Sequence, residues 1–148
     1  MNTHPDILLI EDNPQDAELT IRALKKRNLA INIVHLPDGQ AALDYLFGAR
    51  ATSSDRCVGQ PKVVLLDLKL PKVDGIEVLR QIRANTLTRL LPVVVLTSSR
   101  EDQDVLETYQ LGANSYIVKP VDFEKFSEAV SNLGLYWLLL NELPVRKP

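Results

Sequence analysis

Short, nearly uninterrupted apolar runs alternate along the chain with longer amphipathic stretches. The runs are Ile7-Leu8-Leu9-Ile10, residues 31–36, Val63-Val64-Leu65-Leu66, Val93-Val94-Val95-Leu96 and residues 115–118. Continuous runs of this length fit strands buried on both faces, as in parallel sheets. The stretches between them carry apolar residues at helical spacing: Ala17, Ile21 and Leu24; residues 41–47; Ile76, Leu79 and Ile82; residues 103–111, stopped by Gly112. Asn13-Pro14 reads as a helix start with proline at the first helical position. Pro37-Asp38-Gly39 is a turn signal. Asp122 is a good N-cap for a last helix whose apolar residues are Phe123, Phe126, Val130, Leu133, Trp137 and Leu140.

This makes five strand–helix units without internal repeat. Such alternation implies a parallel sheet with helices on both faces, and right-handed crossovers leave few topologies. The expected fold is α/β, a doubly wound five-stranded parallel sheet of the flavodoxin-like order 2-1-3-4-5. Its ligand crevice lies at the carboxyl ends of the strands, where strands 1 and 3 diverge. One domain is expected over residues 1–148, with a long aperiodic loop at 48–61 and an extended C-terminal helix and tail from about residue 131.

Bulk composition removes several classes. The 148 residues include 45% apolar and 24% charged positions, and the formal net charge is −2. No global positive field favours nucleic acid. The local basic run Arg22, Lys25, Lys26 and Arg27 falls where a helix should end, so it suits the helix dipole and solvent. Cys57 is the only cysteine, which excludes an intrachain disulfide and leans towards a reducing compartment. The first residues lack a basic segment followed by a long apolar core. The apolar run 135–140 is far too short to span a bilayer. A cytoplasmic location without membrane contact is the expectation.

The polar residues at the strand ends carry the chemistry. Glu11 and Asp12 close the first run, Asp67 the third, Thr97 the fourth and Lys119 the fifth. In a doubly wound sheet all five meet at one edge. Three crowded carboxylates repel unless a cation compensates. Histidine and cysteine are absent from the set, so zinc and copper are disfavoured, and hard oxygen donors suit Mg²⁺. A carboxylate needs no deprotonation at neutral pH, so Asp67 can act directly as a nucleophile and form an acyl phosphate. Lys119 offers a point charge to a phosphoryl oxygen, and Thr97 offers a hydroxyl.

Taken together, these residues resemble the receiver domain of two-component response regulators, the chemotaxis-regulator type. The resemblance rests on Glu11-Asp12, Leu65-Leu66-Asp67-Leu68-Lys69-Leu70-Pro71, Asp74-Gly75, Pro92-Val93-Val94-Val95-Leu96-Thr97, Gly112-Ala113-Asn114-Ser115-Tyr116 and Lys119-Pro120. It covers about residues 6–130. It implies that Asp67 takes a phosphoryl group from a histidine kinase. It implies a metal held by Asp12, Asp67 and the backbone carbonyl of Lys69, with Glu11 acting through a metal-bound water. Thr97 and Tyr116 would move together on phosphorylation, and Lys119-Pro120 would carry a cis peptide bond. Lys69 and Ser99 stand at the positions that help set phosphate lifetime in the family, and small Ser98 should leave the site open. The acidic pair opens with glutamate where many members have aspartate.

The C-terminus departs from a plain receiver. Leu135, Tyr136, Leu138 and Leu139 add apolar surface beyond the core stripe. A helix apolar all round must be buried by something. Either it folds back over the sheet's end, or a partner or second copy of the chain covers Tyr136, Trp137 and Leu140. The tail and the 48–61 loop are similar to those of stand-alone regulators serving cyanobacterial phytochrome-type kinases, a match resting on Tyr136-Trp137 and Leu143-Pro144. The expected output is a protein contact, with no DNA-binding segment. Other readings are a haloacid-dehalogenase-type phosphatase, a flavodoxin and a degenerate receiver. The first lacks its second acid, since Lys69 stands two residues after Asp67. The second lacks a phosphate loop after the first strand. The intact acidic set opposes the third. His4 and His35 have no ligand partners at useful spacing.

Overall fold

A computed structural model describes residues 5–26, 31–48, 60–120 and 122–142. Five strands form one parallel sheet in the order β2-β1-β3-β4-β5. The strands are β1 (Ile7–Ile10), β2 (Ile33–Leu36), β3 (Val63–Leu66), β4 (Val93–Thr97) and β5 (Ser115–Val118). The helices are α1 (Pro14–Lys25), α2 (Gly39–Phe47), α3 (Gly75–Ala84), α4 (Asp102–Gln110) and α5 (Phe123–Leu135). The predicted topology is the observed one. Residues 31 and 32 stay outside β2, and β4 runs on through Thr97. Most of the 48–61 loop, Cys57, His4, Arg27, Leu143 and Pro144 lie outside the described residues.

The apolar runs work because side chains alternate across a pleated strand. Leu8, Ile10, Val64, Leu66, Val93 and Val95 face one layer, with Ala42 and Leu46 of α2 and Val78, Leu79 and Ile82 of α3. Ile7, Leu9, Val63, Leu65, Val94 and Leu96 face the other, with Ala17, Ala23 and Leu24 of α1 and Phe126, Val130 and Leu133 of α5. Every residue of β1, β3 and β4 is buried, whereas edge strands β2 and β5 are mostly half-buried. Each buried Leu, Ile, Val or Phe contributes roughly 1.5–3 kcal/mol relative to exposure.

Side-chain caps mark the helix starts, as the sequence predicts. Asn13 accepts from the N–H groups of Gln15 and Asp16, and Asp122 from those of Glu124 and Lys125. Asp38 and Asp74 cap α2 and α3 in the same way. Of the five α-helices described, α4 alone starts without a side-chain cap, and Thr108 is its one buried residue. Leu106 and Tyr109 on this helix are exposed.

The last helix corrects two positions of the expected stripe. Phe126, Val130 and Leu133 are buried, but Phe123 and Leu140 are 57% and 68% exposed. After Leu135 the chain widens into a π-helical turn over Tyr136–Leu140, closed by the Asn141 N–H donating to the Tyr136 carbonyl at 2.8 Å. A π turn bonds residue i to i+5 and so advances each side chain through a smaller angle than an α-helix. Trp137 and Leu138 therefore both pack against the α1–α5 layer, and Leu140 swings outward.

Asp67 leaves β3 into a connection that must pass under the start of α3. The Gly75 N–H donates to the Leu68 carbonyl at 2.9 Å. A Cβ at Gly75 would sit 2.3 Å from the Asp67 carbonyl oxygen and 2.6 Å from the Leu68 Cα. These are backbone atoms with no rotamer to yield. Gly75→Ala is expected to destabilise the domain by about 1–3 kcal/mol, as overpacking does, and to lower the urea midpoint accordingly. An unchanged midpoint would refute the steric argument.

Candidate functional site

The sheet register brings the acids together. Ile10 and Leu66 are the last partners of β1 and β3, so Glu11 and Asp67 each follow directly on a paired residue. The Asp67 N–H donates to the Ile10 carbonyl, and the Glu11 N–H to the Leu36 carbonyl, both at 3.1 Å. Glu11 and Asp67 thus stand side by side just past the strand ends. On the other side, the Lys119 N–H donates to the Thr97 carbonyl at 2.8 Å, which carries the lysine to the same edge.

There the Lys119 ammonium makes three ion pairs: with Glu11 Oε1 at 2.6 Å, Asp16 Oδ2 at 2.9 Å and Asp67 Oδ2 at 3.0 Å. Glu11 and Asp67 are 2% and 6% exposed. The second oxygen of Asp67 accepts from the Lys69 N–H at 3.2 Å, and that of Glu11 from the Asn13 N–H at 3.2 Å. Thr97 is fully buried, and its hydroxyl helps hold the Asp67 carboxyl below its usual value. Glu11, exposed Asp12 and Asp67 each offer an oxygen within 4.8 Å of the others. Four carboxylates, counting Asp16, gather here with one ammonium, which pairs with three of them. The surplus negative charge and all-oxygen donor set fit a hard divalent cation. The adjoining cleft, about 460 Å³, is lined by Asp12, Lys69, Pro71, Asp74 and Asp104 among others.

The peptide bond at Lys119-Pro120 corrects an expectation: no cis bond occurs among the described residues. The trans form is intrinsically favoured by about 0.5–1 kcal/mol, and with it the ammonium already reaches all three acids.

Sequence reasoning placed Glu11, Asp12, Asp67, Thr97 and Lys119 at this edge, and the structure brings all five there. It passed over Asp16. The available signal was its position in the first turn of the helix that follows the acidic pair, which aims it back at the strand ends. It also passed over Asp104. The Ser99 hydroxyl donates to Asp104 Oδ2 at 2.6 Å, and the Tyr116 hydroxyl donates to the Ser99 carbonyl at 3.1 Å. Tyr116 thus ties β5 to the segment after β4. His35, which carried no functional expectation, holds the Glu11 carbonyl through Nε2 at 2.8 Å.

Electrostatics separates the two buried acids. Burial pushes Glu11 up to about 7, reinforced by the Asp67 charge and only partly offset by the hydrogen bond from Lys119. Burial acts on Asp67 too, but hydrogen bonds from Thr97 and Lys119 and the lysine charge outweigh it and hold that carboxyl below its usual value. Lys119 is raised: burial alone would lower it, but the hydrogen bonds to Glu11 and Asp16 and the Asp67 charge win. A carboxyl raised on folding contributes stability that is full below its unfolded value and lost as pH rises through its folded value. In metal-free buffer, the Glu11 contribution should therefore disappear between about pH 4.5 and 7. Urea midpoints measured across that range should fall less steeply with pH for Glu11→Gln than for the wild type. Parallel profiles would contradict the assignment.

Comparison with known proteins agrees with this geometry. The profile of the response regulator receiver domain matches residues 7–131. The chain is 44% identical to a probable methanogenesis regulatory protein, FilR2, of Methanothrix harundinacea, over 93% of this chain and 86% of that one. It is 36% identical to response regulator Rcp1 of Synechocystis, over 93% and 92% of the two chains. The Mn²⁺-bound crystal structure of Rcp1 superposes with a TM-score of 0.82 at 34% identity, covering 95% of this chain and 100% of that one. The phosphorylated cyanobacterial phytochrome response regulator RcpA superposes with a TM-score of 0.85 at 34% identity, covering 96% and 99%. Five parallel strands in the same order, an acidic edge closed by a lysine and a match spanning most of the sequence lead to one conclusion: the chain belongs to the response regulator receiver domain family and is a protein of two-component phosphorelay signalling.

Proposed function

We propose that Asp67 is the phosphoacceptor of a single-domain switch spanning residues 1–148. The supporting observation is the clustering of the Glu11, Asp12 and Asp67 oxygens beside the Lys119 ammonium. In this reading Asp12, Asp67 and the Lys69 carbonyl would hold Mg²⁺, with Glu11 supporting them from behind. When bound, the cation supplies positive charge that lets a phosphoryl oxygen approach an anionic edge. Mn²⁺ in Rcp1 supports a divalent cation of this class.

The Asp67 carboxylate attacks the phosphorus of a kinase phosphohistidine. The new P–O bond forms as the P–N bond breaks, and the imidazole leaves with the electron pair and takes up a proton. Lys119 then pairs with a phosphoryl oxygen and Thr97 donates to another. The Thr97 shift is passed along the Ser99 carbonyl to Tyr116, and Asp104 carries it into weakly anchored α4. The output is a changed protein-binding surface around α4, β5 and α5. Hydrolysis of the acyl phosphate restores Asp67, so the protein catalyses only its own phosphotransfer and dephosphorylation.

The partner is a histidine kinase, and we assign it to the phytochrome type on the likeness to the phytochrome response regulator RcpA. Its site of action is the cytoplasm, where ATP charges such kinases. No helix among the described residues is long and apolar enough to cross a membrane. Tyr136, Leu139 and Leu140 are 48%, 59% and 68% exposed, and Tyr136 packs edge-to-face on Trp137 at 5.1 Å. We assign this face to a second copy of the chain, with Trp137 as the buttress beneath Tyr136.

With Mg²⁺ and acetyl phosphate, or with a phytochrome-type kinase and ATP, intact mass should show one acid-labile phosphoryl group. Asp67→Asn or chelation of the metal should abolish it; labelling that survives Asp67→Asn would overturn the assignment. In sedimentation, the wild type should dimerise and Leu139→Glu/Leu140→Glu should weaken self-association at least tenfold. A monomeric wild type, phosphorylated or not, would remove the dimer.

A further inference from the structure

Lys119 is fully committed before any phosphoryl group arrives. An ammonium has three N–H donors, and Glu11, Asp16 and Asp67 each lie within 3.0 Å of it. The three partners are not equivalent. The Glu11 side chain is 2% exposed and that of Asp67 7%, whereas the Asp16 side chain is 36% exposed. Releasing Glu11 would leave a buried carboxyl without its partner, which is costly. Releasing Asp16 only returns a carboxylate to water. Its backbone holds it in place for the role: the Asp16 N–H donates to Asn13 Oδ1 at 3.1 Å, and its carbonyl accepts from the Thr20 hydroxyl at 2.7 Å.

We propose that Asp16 is a positioning residue that holds Lys119 in reserve. In the unphosphorylated protein it takes one share of the ammonium, so that the lysine competes less strongly for Asp67. Once Asp67 is esterified, Asp16 is the partner that lets go, and the ammonium turns to the phosphoryl oxygens. The same carboxylate also repels the incoming dianion, so its charge opposes the phosphorylated state while favouring cation uptake in the resting one. This inference rests on the phosphoacceptor reading above and adds a residue to it.

The two halves have opposite signs, and that separates them from a structural role. Mg²⁺ affinity of the full-length protein can be measured by calorimetry. Affinity for beryllofluoride, a mimic of the aspartyl phosphate, can be measured at saturating Mg²⁺. For Asp16→Asn, cation binding should weaken about two- to fivefold and beryllofluoride binding should tighten about two- to fivefold, the scale of a partly exposed ion pair. Asp16→Glu, which keeps the charge, should return both towards wild type. Constants that move in the same direction, or not at all, in an Asp16→Asn protein with a wild-type circular dichroism spectrum would overturn the inference and leave the phosphoacceptor reading intact. A wild type that binds neither probe would remove both.

Discussion

Concentrating like charge at one sheet edge is the constraint on which this molecule is organised. Glu11, Asp16 and Asp67 surround a single ammonium, and Asp12 stands beside them. Removing such groups from water costs several kcal/mol each unless they are paired and hydrogen-bonded. The pairing here is dense: Lys119 answers three acids, and main-chain N–H groups of Asn13 and Lys69 answer two. A residual negative charge remains even so. That surplus of charge is what fits the edge to a divalent cation.

The sheet supplies the rigidity that such a cluster needs. Three central strands buried on both faces fix the places where Glu11, Asp67 and Thr97 emerge. Packing is loosest on one side. The α4 helix has a single buried residue and no side-chain cap, and a chain of hydrogen bonds through Ser99, Asp104 and Tyr116 joins it to the strand end carrying Thr97. A strongly packed α3 and a weakly packed α4 share one scaffold, and segments with few buried contacts are the ones that open most easily. The Arg83 guanidinium binds the carbonyls of Arg89, Leu91 and Gly112 and the Asn114 side chain, clamping the amino ends of β4 and β5.

Much of this was legible in the chain alone. Continuous apolar runs ending in acids, a threonine and a lysine announce a parallel sheet with a loaded carboxyl edge, because only strands buried on both faces need such runs. Asn13 and Asp122 announce helix starts because their side chains satisfy otherwise orphaned N–H groups. The C-terminal stripe was read less well. Periodicity at 3.6 residues assumes an α-helix throughout, and the π turn at Tyr136–Leu140 breaks that phase, sending Leu140 outward and Leu138 inward.

Sequence by itself determined the order of the elements, the two apolar faces and the five polar residues at the strand ends, since these follow from local periodicity and from topology. Tertiary structure alone decided how the acids share one lysine, that Asp16 joins them, that Ser99 mediates between Tyr116 and Asp104, and that Lys119-Pro120 is trans. Those outcomes depend on distances between segments as far apart as Asp16 and Lys119, and side-chain reach across such a gap in sequence is set by how the layers pack.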